Sequence, residues 1–361
     1  MDFSLDEDQQ ALVGLAQDIL TKESTQDRLN GLDDQGVWID EPLWQQLAEA
    51  GVVGAPLSEE VGGGGLGFAA AALVLEQVGA RVAQVPYLET VVTALAIDAL
   101  GTAEQRQRDL PDVVAGRALL TSALTETGRE PLEDVATTVD AAGKVTGLKT
   151  SVPFADVARR ILLPARSADG IVLVLVDPTA EGVELREATG SNGVPVFEVE
   201  LNGAQGELLA THDLGWLVDR YLTALAATGL GVSSTALRLA ASYTTTREQF
   251  GRAIATFQAV GHRLADAYID VEGIRLTTLH ALWLLDEGLP ARDEARIAKW
   301  WASEGGHRVA HAAQHVHGGV GVDTDYELHR YFTWNKQIEF TLGSATQQLL
   351  ALGASLAADP V

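Results

Sequence analysis

Apolar residues recur at helical spacing from the start of this chain. Leu5, Leu12, Leu15, Ile19 and Leu20 form one stripe, which predicts an amphipathic helix. Ser4 followed by Glu7 reads as a capping box in front of it. Residues 43–51 read as a short helix closed by Gly51, and helices with short breaks fill residues 4–110. From 119 to 210 the pattern changes. Thr, Val, Gly and Asp rise, and strand-like runs such as ALLTSALTE, RRILLPARS, GIVLVLVD and VFEVEL appear. Ala142-Gly143-Lys144 fits a hairpin turn. Short strands broken by frequent turns predict a β-barrel or sandwich.

Helical spacing returns after residue 213. Val218, Leu222, Leu225, Gly229, Val232 and Leu237 share a face, and further helices are expected over 253–287, 291–315 and 324–355. The order helices, strands, helices predicts an α+β protein. Its expected domains are an α-helical one over 1–118, a middle β domain over 119–212 and a carboxy-terminal four-helix bundle over 213–361. The apolar faces of 216–240 and 253–287 exceed what one bundle needs, which predicts a dimer or tetramer built through them.

Composition narrows the class. A chain of 361 residues can bury a large core, and 47% hydrophobic residues dominated by Ala and Leu favour helix. The absence of Cys excludes disulfides, thiolate metal sites and Cys nucleophiles. The first residues are acidic where a signal peptide is basic. No apolar run is read as reaching the roughly 18 residues that span a bilayer. A cytoplasmic protein is expected. The net charge of −25 argues against nucleic acid and anionic membrane as partners. A local Arg cluster still holds phosphate in an acidic protein, because screening acts over about 10 Å.

The richest chemistry lies at 243–266, YTTTREQFGRAIATFQAVGHRLAD. Arg247, Gln249 and Phe250 crowd a helix junction, a cation, an amide and an aromatic face in one place, which suits a phosphate-bearing cofactor with a flat ring. An ordinary helical corner with a solvated Arg has the same spacing. Gly62 to Gly65 with Gly67 form a flexible loop, but no strand feeds it and no Gly-Lys-Ser/Thr follows, so it is not read as a phosphate loop. His311 and His315 stand at i,i+4 with no third ligand placed to complete a metal site.

Arg247, Gln249, Phe250 and Gly251, followed by Phe257, Gln258 and Leu264-Ala265-Asp266, resemble the FAD-contacting corner of the acyl-CoA dehydrogenase family. The resemblance covers essentially the whole chain and implies that family's fold, with FAD as cofactor, acyl-CoA as substrate and an electron-transfer flavoprotein as acceptor. In the family this corner reaches a neighbouring subunit's flavin. Pro56, Glu60 and Gly62, Gly63, Gly65, Gly67 match a family loop near the acyl end of the site. Leu124-Thr125-Glu126 matches a strand end that touches the flavin, but the Gly-Ser-Asp that should follow is replaced by residues 127–132. Gly147-Leu148-Lys149-Thr150 matches a G-x-K motif leading to a flavin wall, where Val152 and Pro153 are poor hydrogen-bonding substitutes and Phe154 reads as core. Gly318 and Gly319 match a Gly pair that lets backbone approach the cofactor. His315 stands where the family has Gln.

Dehydrogenation of an acyl-CoA needs a carboxylate to take the α-proton. The family's Glu-Gly-Thr glutamate lies nine residues after an Arg, which selects Glu339 after Arg330. Aligning on Gly343 instead puts Leu342 there. Members with the base at the start of the first bundle helix would use the region of Asp219. The apolar neighbours of Glu339 predict a raised pKa. These departures look like the short subunits of actinobacterial heterotetrameric dehydrogenases acting on bulky or steroid side chains. The resemblance therefore implies a homologous partner subunit in an α2β2 assembly, or a homo-oligomer. A non-catalytic partner that completes another chain's FAD site, and a flavin monooxygenase or oxidase of the same fold, remain as alternatives.

Overall fold

The computed structural model describes residues 3–130 and 132–358. Helices α1 (Glu7–Glu23), α2 (Gln26–Asp34), α3 (Glu41–Glu49), α4 (Gly67–Ala80), α5 (Tyr87–Leu100) and α6 (Ala103–Val114) come first. The capping box of α1 forms at Asp6 and Gln9 rather than at Ser4 and Glu7. A carboxylate at the N-cap accepts a backbone N–H and also faces the positive helix end, which favours Asp6. α4 is Ala-rich and buried along most of its length, from Phe68 to Gly79. A helix apolar on all sides belongs in a core.

Strands β1 (Leu119–Ser122), β2 (Thr138–Val139), β3 (Lys144–Pro153), β4 (Ala158–Ser167), β5 (Gly170–Val176), β6 (Val183–Thr189) and β7 (Pro195–Leu208) follow. β4, β2, β3, β7 and β5 pair in turn, and β5 pairs back onto β4. The ring therefore closes, with β2 and β4 joined through Thr138 and Arg166. Of the two expected arrangements the barrel is the one formed. Val145, Val152, Ile161, Leu163, Val174 and Val199 fill it. β1 adds in parallel to β4, and β6 adds to β7.

Helices α7 (Leu214–Thr246), α8 (Gln258–Asp286) and α9 (Arg292–His317) return, followed by α10 (Leu328–Phe340) and α11 (Ala345–Ala358). The helix expected over 324–355 is thus broken. Leu342 and Gly343 adopt φ of 55° and 93° at the break. Its cause lies far away in sequence. The buried Lys299 ammonium donates to Ser303 Oγ at 2.7 Å, Gly343 O at 2.9 Å and Glu339 O at 3.3 Å. These bonds satisfy carbonyls that a continuous helix would have used itself. Burial pushes the Lys299 ammonium down to about 7, while the Glu339 carboxylate opposes that shift.

α7 corrects two expectations. By length and composition it is apolar enough to cross a membrane, although no such run was expected. Its apolar positions, among them Leu217, Leu222, Leu225 and Leu230, are instead buried inside the chain, against α4, α8 and α9. That face is therefore not spare surface for another chain. α8 differs, leaving Tyr268, Ile269 and Leu276 exposed.

α4 crosses α7 backbone to backbone. A Cβ at Gly231 would run into the Glu76 carbonyl oxygen, and one at Gly79 into the Thr228 carbonyl oxygen. Replacing Gly231 by Ala should therefore cost about 1–3 kcal/mol through overpacking. Gly14→Ala, where a Cβ meets nothing within 4 Å, should be neutral or stabilising by up to about 1 kcal/mol. Urea unfolding of both variants checks this, and equal stabilities would contradict the close crossing.

Candidate active site and cofactor corner

A cavity of about 920 Å³ opens between α4, α5, the end of β1, β3, α7 and the α10–α11 break. Leu75, Val78, Leu222 and Leu225 make its wall largely apolar. Its polar residues include Glu89, Ser122 and Tyr221 as well as Glu126, Arg129 and Arg296. Thr93 Oγ1 joins Ser122 Oγ at 2.8 Å and the Tyr221 hydroxyl at 3.0 Å. Burial raises the Tyr221 phenol above its ordinary value. Burial also pushes the Glu89 carboxyl up to about 7, with only its own backbone N–H opposing. Sequence reasoning missed Glu89, because an acid in the first turn of a helix reads as a dipole partner.

Leu124 and Thr125 line the cavity. The Thr125 hydroxyl donates to the Thr150 carbonyl, and the two residues form an isolated bridge. That hydroxyl is thus held within the fold. Glu126 accepts from Lys149 Nζ at 2.7 Å, from Thr137 Oγ1 at 2.7 Å and from Ala136 N at 2.7 Å. The Thr-Glu and G-x-K stretches are therefore two halves of one buried ion pair. Burial pushes the Glu126 carboxyl up, but the Lys149 and Thr137 bonds outweigh it and leave it at about 2.

The segment after Glu126 is acidic around its cations. Arg129 pairs with Asp134 at 3.1 Å and Arg296 with Glu133 at 3.0 Å, while Glu130 lines the cavity. Pro131, within the altered 127–132 stretch, lies outside the described residues. Ser151, at φ 53°, and Pro153 also face the cavity. Phe154 is core, its ring centroid 5.0 Å from that of Trp38.

The Gly62–Gly67 loop spends its amides internally. Gly63, Gly64, Gly65 and Gly67 donate to Ser58 O, Gly54 O, Leu57 O and Pro56 O. None remains to cradle a phosphate, and the loop does not line the cavity.

A second constellation gathers at one end of the bundle. Arg247 caps α7 and is exposed. Among the described residues its guanidinium has no hydrogen-bond or ion-pair partner. Gln249 donates to Glu248 O at 2.8 Å. Phe250 is 92% exposed and meets Phe257 edge-on. At the end of α9, His315, Gly318 and Gly319 are exposed. Gly318 has φ 62° and ψ −136°, a conformation for which only glycine is suited. Tyr243 stacks on the buried His317 at 4.3 Å and so ties the ends of α7 and α9 together. None of these residues lines the cavity.

Glu339 belongs to neither group. Its carboxylate accepts from Lys336 Nζ at 2.8 Å and meets His307 Nδ1 at 3.1 Å. Burial raises its pKa, but the Lys336 and His307 bonds more than reverse this, so the net shift is downward. The raised value expected from its apolar sequence neighbours is not found, because Lys336 and His307 outweigh the effect of burial. Thr341, Leu342, Gly343 and Ser344, the residues of the break, line the cavity, with no carboxylate among them. Asp219 does not line the cavity either; burial raises it to about 6 against Arg292, Arg296 and Arg220.

The Glu126–Lys149 pair generates a test. Lys149→Met leaves a buried carboxylate uncompensated and should cost about 3–5 kcal/mol at neutral pH. Glu126 has its folded pKa depressed, so its stabilisation is complete above its ordinary 4.5 and is lost as pH falls toward about 2. Urea midpoints measured from pH 6 to pH 2.5 should fall more steeply for the wild type than for the variant. Parallel curves would contradict the pairing.

Comparison with known proteins agrees with this geometry. Residues 6–117 match the model of the acyl-CoA dehydrogenase N-terminal domain, and residues 220–357 that of the C-terminal domain. Acyl-CoA dehydrogenase FadE27 of Mycobacterium tuberculosis is 39% identical over 100% of both chains. The structure of a Tcur3481-Tcur3483 steroid ACAD variant superposes with a TM-score of 0.94 at 43% identity, covering 98% of each chain. The ChsE4-ChsE5 complex from Mycobacterium tuberculosis superposes with a TM-score of 0.94 at 39% identity over 100% of each chain. The chain belongs to the acyl-CoA dehydrogenase family.

Proposed function

We propose that this chain is one subunit of a heteromeric, FAD-dependent acyl-CoA dehydrogenase that acts on a bulky, steroid-type acyl thioester. The α10–α11 break carries the reading. The residues facing the cavity there are Thr341, Leu342, Gly343 and Ser344, none of them a carboxylate, and the nearby Glu339 is held in an ion pair outside the cavity. The break thus offers no carboxylate base, so in this reading the α-proton passes to a carboxylate of the partner subunit, in the partner's own cavity. Bound FAD would supply the acceptor for the hydride of the β-carbon. The likeness to a steroid ACAD and to the two-protein ChsE4-ChsE5 complex supports both the substrate class and the partner.

The residues of the corner fit such a cofactor. The exposed Arg247 guanidinium, unpaired among the described residues, suits a pyrophosphate, and the exposed Phe250 ring offers a flat face. Gln249 of the same corner and His315 at the end of α9 supply exposed hydrogen-bonding groups. A Cβ-free Gly318–Gly319 backbone admits close approach. Leu124 and Thr125 would face a flavin ring on this chain's own side. There Lys149, Arg129 and Arg296 are each already paired with a carboxylate, so they offer a pyrophosphate no free cation. The corner therefore serves the partner's FAD. The proposal includes an α2β2 tetramer in the cytoplasm, an electron-transfer flavoprotein as acceptor and the domain division at residues 118 and 212.

Arg247→Ala in the assembled complex removes a charge-assisted bond of about 1.5–3 kcal/mol and should weaken flavin retention roughly ten- to a hundred-fold. Flavin content after dialysis is the readout, and unchanged content would sink the corner assignment. Glu339→Gln should change turnover of the complex by less than about threefold, because a general base contributes 10²–10⁴-fold. A loss of about a thousand-fold would restore Glu339 as the base.

A further inference from the structure

Three Asn–Gly pairs occur in the chain, beginning at Asn30, Asn192 and Asn202. In such a pair the backbone nitrogen of the glycine can attack the asparagine side-chain amide, because no Cβ obstructs it. The fold treats the three pairs differently. We infer that Asn192 is a self-modification site, which loses ammonia through a cyclic imide and leaves aspartate or isoaspartate at the cavity wall. This goes beyond the dehydrogenase reading and stands on the tip of the β6–β7 hairpin alone.

Asn30 lies inside α2, and its Oδ1 accepts from Gln26 Nε2 at 2.9 Å and from an Arg330 N–H at 2.7 Å. Helical backbone engages the Gly31 N–H in its own ladder and keeps the Asn30 amide away from it. Asn202 lies within β7 opposite Thr146, and its Nδ2 donates to Glu200 at 3.3 Å, which turns the amide back along the strand. Asn192 is outside both strands, half-buried at the hairpin tip. Its Oδ1 accepts from Val194 N at 3.2 Å. The ring closed by that bond contains the Gly193 nitrogen, so the Asn192 amide carbon is folded toward its attacker. The Val194 N–H also steadies the oxyanion that attack creates. Gly193 is exposed, so water reaches its amide proton. That N–H donates to Gly190 O at 3.0 Å, which opposes proton loss. One exposed hydrogen bond slows the step by less than about tenfold, whereas orientation of the reacting groups gains far more.

The bond from Gly193 N to Asn192 Cγ forms and the Cγ–Nδ2 bond breaks, so ammonia leaves carrying the amide proton. Water then opens the imide at either carbonyl, and no oxidant or reductant is consumed. Both products put a carboxylate where Asn192 lines the cavity. Isoaspartate also adds one backbone carbon to a tip that Ser191 N ties to Gln337 Oε1 at 2.7 Å. The purified full chain is incubated at pH 8, and peptide mass spectrometry with fragmentation locates the new acid. Conversion at 192 should run about tenfold or more faster than at 30 or 202. In urea, with the folded geometry gone, the three rates should agree within about threefold. Asn192→Gln, whose longer side chain needs a six-membered imide, should abolish the acidic species that ion exchange resolves from the folded chain. No conversion at 192 while the unfolded chain converts, equal rates at the three sites of the folded chain, or an acidic species that survives Asn192→Gln would each overturn the inference.

Discussion

The fold depends on a crossing at which no side chain intervenes. α4 and α7 meet through Gly79 and Gly231, so their backbones touch. The Ala80 carbonyl at the end of α4 then accepts from Thr235 Oγ1 of α7 and the Tyr331 hydroxyl of α10, both at 3.1 Å. The first helices are thereby joined to the bundle by backbone contact and by side chains that satisfy a buried carbonyl. Cavity walls follow from this contact, because Leu75 and Val78 ride on α4 while Tyr221 and Leu225 ride on α7. The barrel is attached to the same assembly. Thr90 of α5 exchanges hydrogen bonds with Leu120 of β1, and β1 delivers Leu124 and Thr125 to the cavity.

A second buried group decides the chemistry. Lys299 holds the carbonyls of Glu339 and Gly343, and so turns the chain between α10 and α11. The turn presents Leu342 to the cavity and leaves Glu339 with Lys336 and His307. An ammonium buried among carbonyls is costly to move, so the geometry is held firmly. In the proposed reading, the exposed Arg247 corner is the cofactor contact and the break brings no carboxylate to the cavity where a proton acceptor would be needed.

Much of this was legible in the sequence, for reasons that differ by element. Helices such as α1 and α9 announce themselves by local periodicity, and the corner at Arg247 and the glycines at 318 and 319 by a dense local motif. Barrel closure was not legible, because the pairing of β4 with β5 and β2 depends on partners brought together only in the fold. The α10–α11 break was hidden for the same reason: Lys299 acts from 40 residues upstream of Glu339. Glu339 and Leu342 were both in view as alternatives, and only the break distinguishes them. Glu126 and Lys149 were each noticed as motif residues, while their pairing needed β3 beside the end of β1. Glu89 was missed because its position on α5 looks ordinary until α4 and α7 enclose it.

The account turns on a cavity with no carboxylate at the α10–α11 break and a partner that has one. Anaerobic mixing with a steroid-type acyl-CoA thioester, followed by the flavin absorption band, tests this directly. The account predicts bleaching with the chain and its homologous partner together, and none with the flavin-supplemented chain alone. Bleaching by the chain alone at the rate of the complex would contradict it.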